Sequence, residues 1–313
     1  MKTLLALTLS FAVSIPAFAE DKEEKASKKS AKAGLEVVWK VSEGLKSPES
    51  IYLDADSGFL FLSQIGDGGG AKKDGDGWIS KLAVDGKMVE NKWVTGLNAP
   101  KGIRSHKGTL YVSDIDRVVA IDIAKGEIKQ EIAVPGATFL NDLATGPDGA
   151  VYVSDMVKSR VIRIIEGKPS VFLEGEKIQH PNGLMVHDGH LILGGWGIGF
   201  NEDFSTDTQG QLLKVNLESK EMSAITPKPT GYLDGIEVDG KGGFLVTDWR
   251  AGKLLRISKK GKTRVLQTFP RGLADHAYLI DRQLLILPEM MEGTLTAYRF
   301  PKAKKPKAKP EAK

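Results

Sequence analysis

Six polar residues recur at one place in a repeated pattern: Glu49, Lys101, Asn141, Asn182, Asp234 and Asp275. Each stands third in a short motif: SPESIYL, APKGIRS, FLNDLAT, HPNGLMV, YLDGIEV and LADHAYL. Three carboxylates drawn together repel one another and lose hydration, and a bound cation relieves both penalties. Carboxylate and amide oxygens suit a hard divalent ion. Calcium is therefore the expected cofactor, with magnesium or manganese next. Zinc fits less well, because the chain has no cysteine and the histidine beside the set is His276. A single Asp-Gly or Asn-Gly at a strand entry is commonly just a turn, but Glu49 and Lys101 have no turn preference to account for them.

Whether the six side chains meet depends on the elements that carry them. Their spacings are 52, 40, 41, 52 and 41 residues. Some ten to twelve residues after each motif comes a β-branched or aromatic run: FLFLSQI, LYVSDI, VYVSDM, LILGGW, FLVTDW and LLILPEM. Third runs such as RVVAIDI, SRVIRII and GKLLRIS follow, and helical periodicity is nearly absent. A repeat of some forty residues built from about four strands reads as a β-propeller blade, and six copies predict an all-β, six-bladed ring. Two stacked sandwiches would not produce six units in phase. The two long steps hold insertions, at residues 66–77 and 197–208. A surplus strand from Leu35 to Val41 is expected to complete the last blade, whose own chain ends at Phe300, so that few edges stay open. In such a ring the innermost strands line the channel, and the six third positions point into it at one height.

The 313 residues carry 44 Lys and Arg against 40 Asp and Glu, a net charge of +4 with an isoelectric point near 8.9. The excess sits at the ends. Residues 1–19 read as a signal peptide, with Lys2, an apolar run Leu4–Val13 and the small-x-small site Ala17-Phe18-Ala19. Residues 20–33 read as a polar tether and residues 301–313 as a Lys/Pro/Ala tail. The tail contributes +5 and the signal and tether +1 each, leaving the body, residues 34–300, at −3. That charge argues against a nucleic-acid partner, and no run is long enough for a transmembrane segment. The expected location is the periplasm or beyond the cell.

The segments PESIYLD, LNDLATGPDGAVYVSDM, HPNGLMVHDGHLIL and YLDGIEVDGKGGFLVTD resemble the senescence-marker-protein, gluconolactonase and luciferin-regenerating-enzyme family of six-bladed propellers. The resemblance covers the whole body. It implies one divalent metal held by Glu49, Asn182 and Asp234, with Asn141 on water or substrate. The implied activity is hydrolysis of a lactone or related ester: the metal polarises the carbonyl and Asp234 activates water. Phe139 stands where the family places a sugar-holding arginine, and Leu143 replaces its motif glycine. Lys101, Asp275 and His276 complete the expected substrate contacts.

The alternative is a non-catalytic propeller of the NHL or strictosidine-synthase-like kind that binds a protein or glycan on its face. The recurring Tyr-Val-Ser-Asp, common in repeats without catalytic duty, is its feature. Other residues draw structural readings. Trp196 and Trp249 are expected to pack between blades, and Asp114, Asp155, Asp248 and Glu289 to cap loops. The 66–77 insertion is expected to be a loop over the ring. His187 and His190 are expected on an outer turn, and His180 at the channel mouth.

Overall fold

A computed structural model describes residues 34–301; the signal, the tether and the tail beyond Pro301 lie outside the described residues. Within them, six four-stranded antiparallel sheets follow one another as blades. Blade one is Pro48–Asp54, Phe59–Gln64, Gly77–Leu82 and Met88–Leu97; blade two is Pro100–His106, Thr109–Asp114, Arg117–Asp122 and Glu127–Ala133. Blade three is Leu140–Thr145, Val151–Asp155, Arg160–Ile165 and Lys168–Glu174; blade four is Pro181–His187, His190–Gly195, Leu212–Asn216 and Met222–Ala224. Blade five is Leu233–Val238, Phe244–Asp248, Lys253–Ile257 and Thr263–Thr268. Blade six takes Ala277–Leu279, Leu284–Glu289 and Thr294–Arg299 from the end of the chain, and its outer strand, Glu36–Val41, from the beginning. That exchange closes the ring, with Val41 opposite Leu295 and Glu36 opposite Arg299.

Burial grades outward along each blade. The second strand Phe59–Gln64 is buried almost throughout, whereas the outer strand Glu127–Ala133 exposes nearly every residue. The core is accordingly divided into wedges between neighbouring blades. Phe61 and Ile79 of blade one pack on Ile103 and Leu110 of blade two, and Val118 of blade two on Leu143 and Val153 of blade three. Corresponding clusters fill the other junctions. Strands with apolar residues on both faces satisfy this arrangement, because each face meets another sheet.

The insertion in blade four folds as a separate hairpin, Gly197–Phe200 with Thr206–Gln209. The turn between His187 and His190 has positive φ at Asp188 and Gly189, the primed geometry favoured by a two-residue hairpin. His187 is placed on this exposed turn, as its position in the repeat implies. No described helix is long and apolar enough to cross a membrane.

The closing wedge gives a direct test. Leu295 is fully buried at the junction of blades six and one, while Val37 on the outer strand is 62% exposed. Leu295→Ala is expected to cost about 2–5 kcal/mol in urea unfolding, and Val37→Ala about 0.5 kcal/mol or less.

Candidate functional site

The third position of each motif coincides with a break in strand register. In blade one Pro48 faces Gln64 and Ile51 faces Leu62, so Glu49 and Ser50 together oppose Ser63. The same shift follows Pro100, Leu140, Pro181 and Leu233. In blade six Leu273 faces Glu289 and Ala277 faces Ile286, again with one extra residue on the inner strand. A bulge of this kind bends the strand and re-aims a side chain. Here it turns one polar residue per blade into the channel.

Bulged backbone needs substitute partners, and hydroxyls on the second strands supply them. Ser63 Oγ accepts from Ser50 N–H, and Ser154 Oγ accepts from Asp142 N–H. Ser113 Oγ donates to the Asn141 carbonyl, Ser154 Oγ to that of Asn182 and Thr247 Oγ1 to that of Ala274, each in the next blade. The Ser of the recurring Tyr-Val-Ser-Asp is thus a fastener for the neighbouring blade's inward residue. The Asp beside it caps the entry loop: Asp114 accepts from Asn98 and Ala99 N–H, and Asp248 from Tyr232 N–H.

The glycines after Asn182 and Asp234 are close-approach positions. A Cβ on Gly183 would lie 1.8 Å from the Asp234 carbonyl oxygen, and one on Gly235 would lie 2.7 Å from Asp275 Cα. Neither has positive φ, so these Asn-Gly and Asp-Gly pairs are packing devices and not turns.

At the channel mouth lies a cavity of about 340 Å³. Glu49, Lys101, Asn141, Asn182 and Asp234 all line it, and all five are buried. Glu49 Oε2, Asn141 Oδ1, Asn182 Oδ1 and Asp234 Oδ1 are buried without a hydrogen-bond partner. An unpartnered buried oxygen is costly, and four around one cavity form an oxygen donor set. Burial pushes the Glu49 and Asp234 carboxyls well above their ordinary range, and charge repulsion with other acids adds to the shift. The Asn182 amide partly eases Asp234. Among the described residues no group of three or more His, Cys, Asp or Glu could hold a metal; the set is two acids and two amides. It fits a hard ion that accepts neutral oxygen ligands.

Lys101 Nζ donates to the carbonyls of Gly70 and Ala99 and sits over the Phe139 ring. Burial brings its pKa down to about 8. Gly70 and Ala71, from the first insertion, line the cavity, so that insertion lies over the ring as expected.

Asp275 and His276 do not line the cavity. Asp275 accepts from Ser50 Oγ at 2.6 Å and pairs with Arg104 at 3.0 Å. His276 is fully buried with neither ring nitrogen partnered, and burial brings it down to about 4, hence neutral. Three residues farther along the inner strands from Lys101 and Asp234 stand Arg104 and Glu237. With Asp142 and Asp275 they form a second polar group. Burial, with repulsion from Asp275, pushes Asp142 up to about 7, and burial pushes Glu237 up to about 8. Arg104, held above its ordinary value by these acids despite burial, is their internal counter-ion. Asp142 is also structural, accepting from Leu184 N–H at 2.7 Å.

Trp196 and Trp249 line the cavity, which corrects the expectation of purely inter-blade packing. Second strands end at the channel face, so an aromatic there borders the opening, and the hairpin insertion then encloses it. Trp196 Nε1 donates to the Phe204 carbonyl, and Phe204 packs edge-on against Phe139. Arg250 and Arg271, unmarked by the repeat, also line the cavity. His180 is held beside it, stacked on Phe200 with Nδ1 on the Met156 carbonyl.

The architecture is that of a six-bladed propeller with an oxygen-lined, partly acidic cavity at its channel mouth. The chain belongs to the SMP-30/Gluconolactonase/LRE-like family, whose pattern it matches over residues 89–274. Among solved structures it is similar to a gluconolactonase from Xanthomonas campestris, with 14% identity, TM-score 0.60, and coverage of 85% of this chain and 87% of that one. It is also similar to a catalytically inactive virginiamycin B lyase from Staphylococcus aureus with quinupristin, with 17% identity, TM-score 0.58, and coverage of 85% and 99%. A nidogen/laminin complex aligns at 12% identity and TM-score 0.56 over 78% and 94%. At these identities the likenesses establish the fold alone. No curated protein matches the chain.

Substitutions at Arg104, Asp275 and Gly183 test the site's support. Arg104→Leu strips Asp275 of its buried partner and is expected to cost about 3–5 kcal/mol. The double substitution with Asp275→Leu should cost less than the sum of the two singles. Gly183→Ala is expected to cost about 1–3 kcal/mol by pushing the Asp234 strand away. Urea unfolding measures all of them.

Proposed function

We propose that this protein is an exported, metal-dependent hydrolase of a lactone or related ester. The observation that carries the reading is the set of four unpartnered buried oxygens on Glu49, Asn141, Asn182 and Asp234 around one cavity. A scaffold that only binds a partner on its face has no use for such a set. Family membership supports the reaction class, and the signal-like residues 1–19 support export.

Glu49, Asn182 and Asp234 would hold the ion, with Asn141 beside it. Calcium is the first choice, magnesium or manganese the second. Bound there, the ion supplies Lewis-acid polarisation of the ester carbonyl. Asp234 would also take a proton from the attacking water. The water oxygen bonds to the carbonyl carbon, the bond from that carbon to the alkoxy oxygen breaks, and the proton passes to the leaving alkoxide. The Lys101 ammonium, fixed by two carbonyls, places positive charge at the cavity wall. The aromatic wall of Phe139, Trp196 and Phe204 excludes water from the substrate's apolar body.

Calcium is expected to raise the melting temperature and chelator to lower it, read by thermal unfolding with metal analysis of the purified protein. Absence of a divalent ion together with indifference to chelator would defeat the proposal. Asp234→Asn should lower lactone hydrolysis at least about a hundredfold with circular dichroism unchanged. In chelator, stability should fall as pH rises. Carboxyls raised in the fold stabilise it below their unfolded pKa of about 4, and that stability is lost through about 7 for Asp142 and about 8 for Glu237. Added calcium should remove the part of this slope that comes from Glu49 and Asp234, because it favours those ligands ionised, and leave the part from Asp142 and Glu237.

A further inference from the structure

We propose that the substrate of this cavity carries a carboxylate, received by Arg250 and Arg271; this rests on the hydrolase reading above. Both arginines line the cavity, and neither forms an ion pair among the described residues. Arg271 lies over the Trp249 ring, 4.8 Å from its centroid, and Arg250 over the Tyr232 ring at 5.0 Å. Trp196 joins these platforms, its ring 5.1 Å from Tyr232 and 6.2 Å from Trp249. Two guanidiniums are therefore aligned on one continuous aromatic wall. They are close enough that Arg250 depresses the basicity of Arg271, second to burial.

The donors are free where an anion needs them. Arg250 commits Nη1 to the Phe204 carbonyl at 3.0 Å, which leaves its other N–H groups. No side-chain donor of Arg271 is engaged among the described residues. A guanidinium set over a ring, with donors to spare, can receive a planar carboxylate. Lys101 is not the receiver, since its Nζ is already bound to two carbonyls.

Charge sets the sign of the ligand. The lining holds three acids, Glu49, Asp203 and Asp234, and three bases, Lys101, Arg250 and Arg271. Glu49 and Asp234 belong to the oxygen set, so the arginine side keeps one acid, Asp203. That carboxylate is occupied by Ser205, which donates through N–H at 2.9 Å and Oγ at 2.5 Å. The arginine side, two guanidiniums against one carboxylate, thus carries excess positive charge and suits an anion. The cavity of about 340 Å³ fits a small ligand, one carboxylate and one carbonyl group apart.

The test separates binding from turnover. Calorimetry compares 3-oxocyclopentane-1-carboxylate with its carboxamide; both keep the ring carbonyl and neither is hydrolysed as a lactone. The carboxylate should bind wild-type protein at least about tenfold tighter at low salt. Arg271→Gln and Arg250→Gln should each lower that ratio, and the double variant should bring it near one. Arg271→Lys should fall between wild type and Arg271→Gln. A wild-type ratio near one, or variants that weaken both ligands equally, overturns the proposal. Circular dichroism selects the folded variants, and the wild-type ratio decides even where a variant fails to fold. Hydrolysis of 5-oxotetrahydrofuran-3-carboxylate and its carboxamide is then measured. A carboxylate preference in binding without hydrolysis of either defeats the hydrolase reading and leaves the anion site standing. Hydrolysis of both with a binding ratio near one does the reverse.

Discussion

Four oxygens held in a buried channel without partners are the constraint on which the rest of the molecule turns. Left to itself a chain avoids such groups, because each lacks the water it had when unfolded. Here they persist because every blade bulges at the same point. The bulge turns the residue inward, in blades one, two, three and five a second-strand hydroxyl bonds loosened backbone, and in two blades a glycine admits the neighbouring strand's backbone. Ser113, Ser154 and Thr247 reach across to the next blade, so the positions of Asn141 and Asn182 are each set by two blades at once. Rigidity of that kind is what a preorganised polar site needs.

The channel then divides its charge in two. Toward the cavity, Glu49 and Asp234 have no cationic partner within the donor set. Farther along the same strands, Asp142, Asp275 and Glu237 surround Arg104, and that ion pair is closed from within the chain. The two groups stand a turn of the strand apart and feel each other's charge. A permanent guanidinium stabilises the one group, while the oxygens of the other stay unpartnered. Sites that leave polar groups unsatisfied trade stability for function, and the contrast between the groups marks which acids belong to structure.

The fold was almost fully legible in the sequence, because a blade cannot hide its period. The motif spacing, the second-strand runs and the surplus first strand match six sheets and their closure. Five of the six aligned residues do meet at one cavity. Asp275 does not, since alignment gives a height in the ring but not the partner, and Arg104 three residues past Lys101 draws it away. Nothing in residue type distinguishes a serine that fastens a neighbouring blade from one that merely fills a strand. Strand position alone points Trp196 and Trp249 to packing, because that position is structural in most repeats. Their exposure to the cavity depends on the channel face at the strand end and on the 197–208 hairpin, which has no counterpart in the other blades.

The two sides of the cavity are built from different kinds of element. The oxygen set comes from inner strands, where a change of residue must satisfy a bulge, a hydroxyl and a neighbour. The opposite wall comes from strand ends and insertions, which tolerate replacement. Phe139 packs on Phe204 from the hairpin. Positive charge on this wall comes from Arg250 and Arg271, just past the second strand and the outer strand of blade five. The wall that results is aromatic with cations laid on it. The inner-strand oxygens and the aromatic wall are therefore carried by different elements, and a substitution in one need not disturb the other.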